Sequence, residues 1–268
     1  MSERVSVTRV GGVADVRLNR PEKLNALDRA MFQALVETGD ALAADPSLRA
    51  VVLSGEGRGF CAGLDFASFM AMAGDGDPGS TLLDRRFGDS PANFAQRAAW
   101  VWTELPVPVI AAVHGVAYGG GLQIALGADL RIAAPDAQLS VMEIKWGLIP
   151  DMSGTQTLRH LVRLDVAKEL TFTGRVVSGS EAAELGLVTR VAADPRAAAL
   201  ALAQEIAGKS PDAIRAGKQL LNRAPLSGVA DGLKLEEHLQ RGLLGSANQL
   251  EAVSANMQKR APAFRDPA

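Results

Sequence analysis

The sequence predicts an α/β core with a helical C-terminal region. Three observations carry this. Short apolar runs with a strand pattern alternate with helix-patterned segments up to about residue 192. After Pro195 the pattern is helical throughout. The length, 268 residues, suits one large domain or a domain with a small appendage. The division falls between residues 1–195, the α/β core, and 196–268, the helical region.

In chain order, Val5 to Val7 and Val13 to Leu18 read as strands joined at Gly11-Gly12, a hairpin signal. Asp28 is placed to cap a helix running to about Ala43, with Met31, Leu35 and Leu42 on one face. Pro46 breaks it. Ala50 to Leu53 is a buried strand, followed by a glycine-rich loop from Gly55 to Asp65. Gly74 to Ser90, rich in Gly, Asp, Ser and Pro, reads mostly as a mobile loop. A helix follows from about Ala92 to Leu105. Val109 to Val113 and Leu130 to Ala133 are further strands, with a helical turn from Leu122 to Leu126 between them.

Pro150 and Gly154 bracket a turn before a helix through Leu161. Ser178 and Glu181 have capping-box spacing for a short helix ending near Gly186. The last third reads as helices over Arg196 to Ala207, Pro211 to Arg223, about Ser227 to Leu243, and Ala247 to Lys259.

Composition excludes more than it names. Lys plus Arg is 28 and Asp plus Glu 30, a formal charge of -2. That offers no global attraction to nucleic acid or an anionic membrane. The single cysteine, Cys61, excludes an internal disulfide and a cysteine-built zinc site, and it fits a reducing, cytoplasmic compartment. His114, His160 and His238 are the three histidines, and no HExxH or HxH spacing occurs. Residues 1–10 lack the apolar stretch of a signal peptide. The most apolar segment, Leu105 to Gly121, is broken by two prolines and four glycines, so no membrane span is expected.

The 27 glycines concentrate where backbone must approach something closely. Ser54 to Asp65 follows a buried strand but fits a GxGxxG phosphate loop poorly, since its third glycine is one residue early. Gly119-Gly120-Gly121 lies at a strand-to-helix junction, where bare N–H groups can face a developing oxyanion. Glu143 and Asp151 flank the apolar stretch Trp146 to Pro150, whose neighbours would desolvate a carboxylate and raise its pKa. Alone, each has a plain alternative: a tight surface loop, close helix–strand packing, a helix N-cap at Asp151, a solvated charge at Glu143.

Together with the stretch Leu18 to Leu27, these segments resemble the crotonase superfamily, the enoyl-CoA hydratase/isomerase family. Leu18-Asn19-Arg20-Pro21-Glu22-Lys23-Leu24-Asn25-Ala26-Leu27 is similar to its N-terminal signature. Gly59 to Asp65 and Gly119 to Gly121 are similar to its two oxyanion segments. Leu170 to Arg175 with Ala182 to Val188, and Lys259 to Phe264, complete five motifs in order. The resemblance implies a crotonase-like spiral of ββα units with a helical C-terminal oligomerisation region, assembled as a homo-trimer or homo-hexamer. It implies an acyl-CoA substrate, with coenzyme A as part of that substrate and no separate cofactor or metal.

Carried across residue by residue, the resemblance makes the backbone N–H groups of Leu64 and Gly120 the oxyanion donors. Lys23, Leu24, Ala26, Ala62 and Asp65 would meet the CoA moiety. Lys259 and Phe264 would reach a neighbouring subunit's ligand. Hydratases of the family use two glutamates, and here those positions hold Gln123 and Glu143. An amide does not exchange protons at neutral pH, although it can orient water, substrate or Glu143. The eight-residue step from Glu143 to Asp151 resembles the family's dienoyl-CoA isomerases, which however carry an Asp at the position of Gln123. The expectation is an enolate-forming enzyme in which Asp151 is base and Glu143 proton donor, isomerisation being favoured over hydration. The alternatives are an acyl-CoA thioester hydrolase, or another reaction on the same scaffold, and a non-catalytic acyl-CoA-binding subunit.

Overall fold

The computed structural model describes residues 4–67, 70, 82–83 and 90–267. The loop expected over 74–90 therefore lies almost wholly outside the described residues. Strands β1 (Val5–Val10) and β2 (Val13–Leu18) form the expected antiparallel hairpin, with Val10 paired to Val13. Gly11 takes a left-handed φ of 58°, which a tight two-residue connection requires. Strands β3 (Ala50–Gly55), β4 (Val109–Val113), β6 (Leu130–Ala133) and β9 (Arg190–Val191) extend the sheet in parallel. The order is β1-β2-β3-β4-β6-β9.

A second, three-stranded sheet holds β5 (Val116–Tyr118), β7 (Gln138–Ser140) and β8 (Val177–Ser178). These strands are two or three residues long, too short for an alternation pattern to reveal them in the sequence. They matter because β4 runs into β5 through His114-Gly115, and so leaves the main sheet immediately before the three glycines.

Helix α1 (Arg29–Ala43) starts where Asp28 accepts a hydrogen bond from the Met31 N–H at 2.8 Å. Its buried face crosses α2 (Phe94–Glu104), which carries a reciprocal capping box between Asn93 and Gln96. The crossing is close. A Cβ on Gly39 would stand 2.3 Å from the Val101 side chain. Helix α3 (Gly120–Leu126) is buried between α2 and the sheets. Helices α4 (Gly154–Leu161), α5 (Leu164–Thr173) and α6 (Gly179–Leu185) follow. Of these, α5 was not expected as a helix: Arg163 offers no side-chain cap, and only the left-handed Gly174 marks an end.

Helix α7 (Pro195–Ala207) covers the opposite face of the sheet. Its Ala199 and Ala203 pack on Val13, Val52, Ile110 and Ile132. The division expected at residue 195 thus falls at the start of a helix that shares the core. Beyond it lie α8 (Pro211–Arg223), α9 (Val229–Leu243) and α10 (Ala247–Met257). The expected start of α9 at Ser227 and the expected end of α10 at Lys259 each move inward by about two residues, because the first and last turns of a helix lack intrahelical partners. No helix among the described residues is long and apolar enough to cross a membrane.

Candidate active site

The site forms where three irregular segments meet beyond the C-terminal ends of β3 and β4. The first is the loop after β2. Leu24 and Asn25 both take left-handed backbone, with φ of 49° and 57°. Asn25 is fully buried. Its side-chain amide donates to the carbonyls of Glu56, Gly59 and Phe60, and its carbonyl accepts from the Arg20 N–H at 2.8 Å. This one side chain fastens the Arg20–Ala26 loop to the glycine-rich loop after β3. The Leu24 carbonyl then accepts the Ala62 N–H at 2.9 Å. Lys23 stands exposed at the rim of this cluster, with Leu24 and Ala26 half-buried beside Ala62.

The second segment is Cys61 to Asp65. Leu27 and Leu64 form an isolated parallel bridge, in which the Leu27 N–H donates to Gly63 and the Asp65 N–H to Leu27. A parallel bridge of this kind uses the neighbours of Leu64 and turns its own N–H to the other side. Cys61 pairs with Ala117, so this segment lies along β5. Cys61 is wholly buried, its thiol donates to the Asn25 carbonyl, and burial pushes its pKa up to about 12. It is a packed side chain, not a thiolate nucleophile. The Asp65 carboxylate pairs with the Arg20 guanidinium at 2.8 Å and is only 11% exposed, so its charge is met within the fold.

The third segment is Gly119 to Gly121. The Gly119 N–H donates to Ser140, while Gly120 is the first residue of α3, where the helix supplies no acceptor for an N–H. The two loops touch. A Cβ on Gly63 would stand 3.7 Å from the Gly120 nitrogen, and one on Gly121 would stand 2.3 Å from the Cys61 carbonyl. Gly63 has a φ of 86° and admits no larger residue. Leu64 and Gly120 are therefore brought side by side, each with a backbone N–H unspent on the described residues.

The carboxylates complete the cluster. Glu143 opens a short 3-10 turn (Glu143–Trp146) and is 8% exposed. A Cβ on Gly119 would meet its Oε1 at 3.4 Å and its Oε2 at 3.9 Å, so the carboxylate stands directly before the glycines. Gln123, on α3, donates to Glu143 Oε1 at 2.6 Å. The Gln123 carbonyl accepts from the N–H groups of Met152 and Gly154, both at 2.8 Å. Glu143 Oε2 is buried and has no partner among the described residues. Burial pushes the Glu143 carboxyl above its ordinary range, and the charge of Asp151 adds in the same direction. Hydrogen bonds to Gln123 and to backbone oppose the rise. Asp151 is raised too, chiefly by burial of its carboxyl against the surrounding protein, although the residue keeps an open side on its turn.

Asp151 does not cap α4. The residue at that position is Ser153, whose left-handed backbone (φ 69°) makes no side-chain cap. The Met152 sulfur packs at the Gly120 position. Phe66, two residues past Leu64, stacks on Trp146, three past Glu143, with ring centroids 4.1 Å apart. Asn25, Met152 and this aromatic pair were not singled out from the sequence. Only Asn25 carried a usable signal, as a residue type that tolerates left-handed backbone.

Lys259 and Phe264 stand apart. The tail beyond α10 folds back through Arg260 on Glu251 and through Asn248 on Arg265. Its Asp266 reaches Arg49, which precedes β3. That is the end of the strand opposite to the glycine loops. Within one chain these two residues do not join the cluster.

Comparison with known proteins shows the family and the fold. The sequence profile of the enoyl-CoA hydratase/isomerase family matches residues 8–267. The chain is 37% identical over 263 residues to the mouse protein "enoyl-CoA hydratase domain-containing protein 2, mitochondrial", covering 94% of this chain and 84% of the relative. It is 32% identical over 261 residues to mouse mitochondrial methylglutaconyl-CoA hydratase, covering 95% and 80%. Among solved structures, an enoyl-CoA hydratase from Bacillus anthracis superposes with a TM-score of 0.88 at 31% identity, covering 97% of this chain and 98% of the other. One from Polaromonas sp. JS666 gives 0.88 at 29% identity, covering 97% and 99%. The chain has the crotonase fold and belongs to the enoyl-CoA hydratase/isomerase family of enzymes.

Proposed function

We propose that the protein shifts carbon–carbon double bonds in acyl-CoA thioesters through an enolate, in preference to adding water across them. The thioester oxygen would sit between the N–H groups of Leu64 and Gly120. Both are preorganised by glycine-bearing loops, and such donors stabilise the charge that develops on the oxygen. Lys23, Leu24, Ala26 and Ala62 would border the CoA moiety, and Lys259 with Phe264 would approach it from a neighbouring subunit of a homo-trimer or homo-hexamer.

One observation carries the preference for isomerisation. The Gln123 amide is engaged in three hydrogen bonds and cannot exchange a proton, so Glu143 and Asp151 are the groups left to do so. Asp151 removes a proton from carbon next to the thioester carbonyl. Its electron pair moves into the enolate, and the former double bond shifts toward the carbonyl. Glu143, whose burial favours its protonated form, returns a proton at the far carbon. Atoms are conserved, and no cofactor beyond the substrate's own CoA is required. The buried thiol Cys61 suits a reducing, cytoplasmic setting.

The test is a panel of 2-enoyl-, 3-enoyl- and 3,5-dienoyl-CoA, with products followed by mass and absorbance. Isomerised products should dominate, and Glu143→Gln and Asp151→Asn should each cut kcat by about 10²–10⁴-fold. Efficient hydration of 2-enoyl-CoA without isomerisation, or release of free CoA from every substrate, would reject the reading.

A further inference from the structure

We propose that Gln123 is a positioning residue that sets both carboxylates at once: its amide nitrogen clamps Glu143 through Oε1, leaving Oε2 to carry the working proton, while its carbonyl pins the turn that bears Asp151. The inference rests on the enolate reading above for its catalytic consequence, but its geometry stands independently.

The orientation of the amide follows from its partners. The N–H groups of Met152 and Gly154 both point at Gln123 Oε1, and backbone N–H groups can only donate. The amide NH₂ is thereby forced to face Glu143, which it meets at 2.6 Å. Space confirms the fit. A Cβ on Gly154 would stand 2.7 Å from Gln123 Oε1, so only glycine there lets the carbonyl in. One Glu143 oxygen is consumed by this bond. The other is buried and unpartnered, the condition of an atom poised to hold or yield a proton.

A glutamate at position 123 would behave differently. One oxygen could still accept from Met152 and Gly154. The other would replace a donor nitrogen at hydrogen-bond distance from Glu143 Oε1. Two carboxyl groups that close cannot both ionise and must share a proton. Gln123 therefore keeps Glu143 an independently titrating group, and restoring the second glutamate would not restore two independent carboxylates.

Among the described residues, the surroundings of Glu143 are sparse in charge. Asp151, on the pinned turn, is the charged group that acts on it. From α5, which packs against the Glu143 turn, Asp165 pairs with Arg163 and Glu169 with Arg175, leaving Lys168 as that helix's other charged side chain. On its own turn, Lys145 lies toward Trp146 at 6.0 Å from the ring. From α3 and the glycine segment only Gln123 and Gly119 face it.

The test reads Glu143 directly. Its carboxyl band is followed by infrared difference spectroscopy against pH, without substrate, and assigned by subtraction of Glu143→Gln. In Gln123→Glu the apparent titration of the pair should rise by about one unit or more, a tenfold or larger change in proton affinity. In Gln123→Met, which lacks the donor, it should rise as well, and the alkaline limb of the kcat/KM profile, which reports the proton donor, should move with it while KM changes less than kcat. Circular dichroism melts check that each variant is folded, and either variant alone suffices. A Glu143 titration unmoved in the folded variants overturns the proposal. So does a Gln123→Glu enzyme that hydrates 2-enoyl-CoA with the wild-type titration. If wild type turns over no acyl-CoA, the enolate reading fails while the infrared titration still decides the positioning role.

Discussion

Glu143 shows how one side chain exchanges stability for chemistry. Its carboxyl is favoured in the neutral form by burial, so its pKa is higher in the folded than in the unfolded chain. The sign of the linkage follows. The group's favourable contribution is complete below the unfolded pKa and is lost as pH rises through the folded pKa. Glu143→Gln keeps the shape and never ionises. Its melting temperature relative to wild type should therefore climb as pH is raised from the ordinary glutamate range toward neutrality, then level off. Thermal melts of both proteins across that range measure it, and a difference independent of pH would remove burial as the dominant cause. The sequence exposed part of this residue's environment: Trp146, Leu148 and Ile149 announced an apolar neighbourhood. It concealed the rest, because the Gln123 contact joins residues 20 apart through a helix and a 3-10 turn, and the direction of an amide is set only by its acceptors and donors in space.

At the scale of elements, long strands and capped helices were legible while the site-building pieces were not. β3 and β4 are apolar runs, and α1 has its Asp28 cap and its buried stripe. Periodicity needs length to show, and β5, β7 and β8 lack it. Yet β5 lays the Cys61–Asp65 segment against the three glycines. The Arg20–Ala26 loop is equally aperiodic, and its shape hangs on Asn25. Removing that side chain leaves the Arg20 N–H and three carbonyls to find other partners in a dry interior. Asn25→Ala should cost about 3 kcal/mol in urea unfolding. It should also raise KM for an acyl-CoA, since the loop bearing Lys23, Leu24 and Ala26 loses its fastening to Ala62's segment. Unchanged stability with unchanged KM would show that the backbone holds the loop unaided.

At the scale of the whole molecule, the C-terminal region poses the remaining question of assembly. Lys218 of α8 is buried and donates to Asp129, Trp102 and Val107, anchoring that helix firmly to the core. The same region exposes Leu221, Leu226, Val229, Leu233, Leu250, Val253 and Met257. Single exposed apolar residues are ordinary, and these would favour association only if a second copy covers them together. The tail carrying Lys259 and Phe264 sits at the far end of β3 from its own glycine loops. If it serves a neighbour's ligand, two defective chains should complement each other. Glu143→Gln chains supply intact tails, and a Lys259→Ala, Phe264→Ala double variant supplies intact carboxylates. Mixed assemblies, formed by refolding the two chains together, should contain sites that combine a wild-type Glu143 with a wild-type tail from next door. Such sites should appear as a component with wild-type KM, absent from either parent alone. Light scattering should give the mass of three or six copies for each assembly. A monomeric mass, or a mixture whose kinetics are only the weighted sum of its parents, would place the tail's role within its own chain and leave the exposed helices without this function.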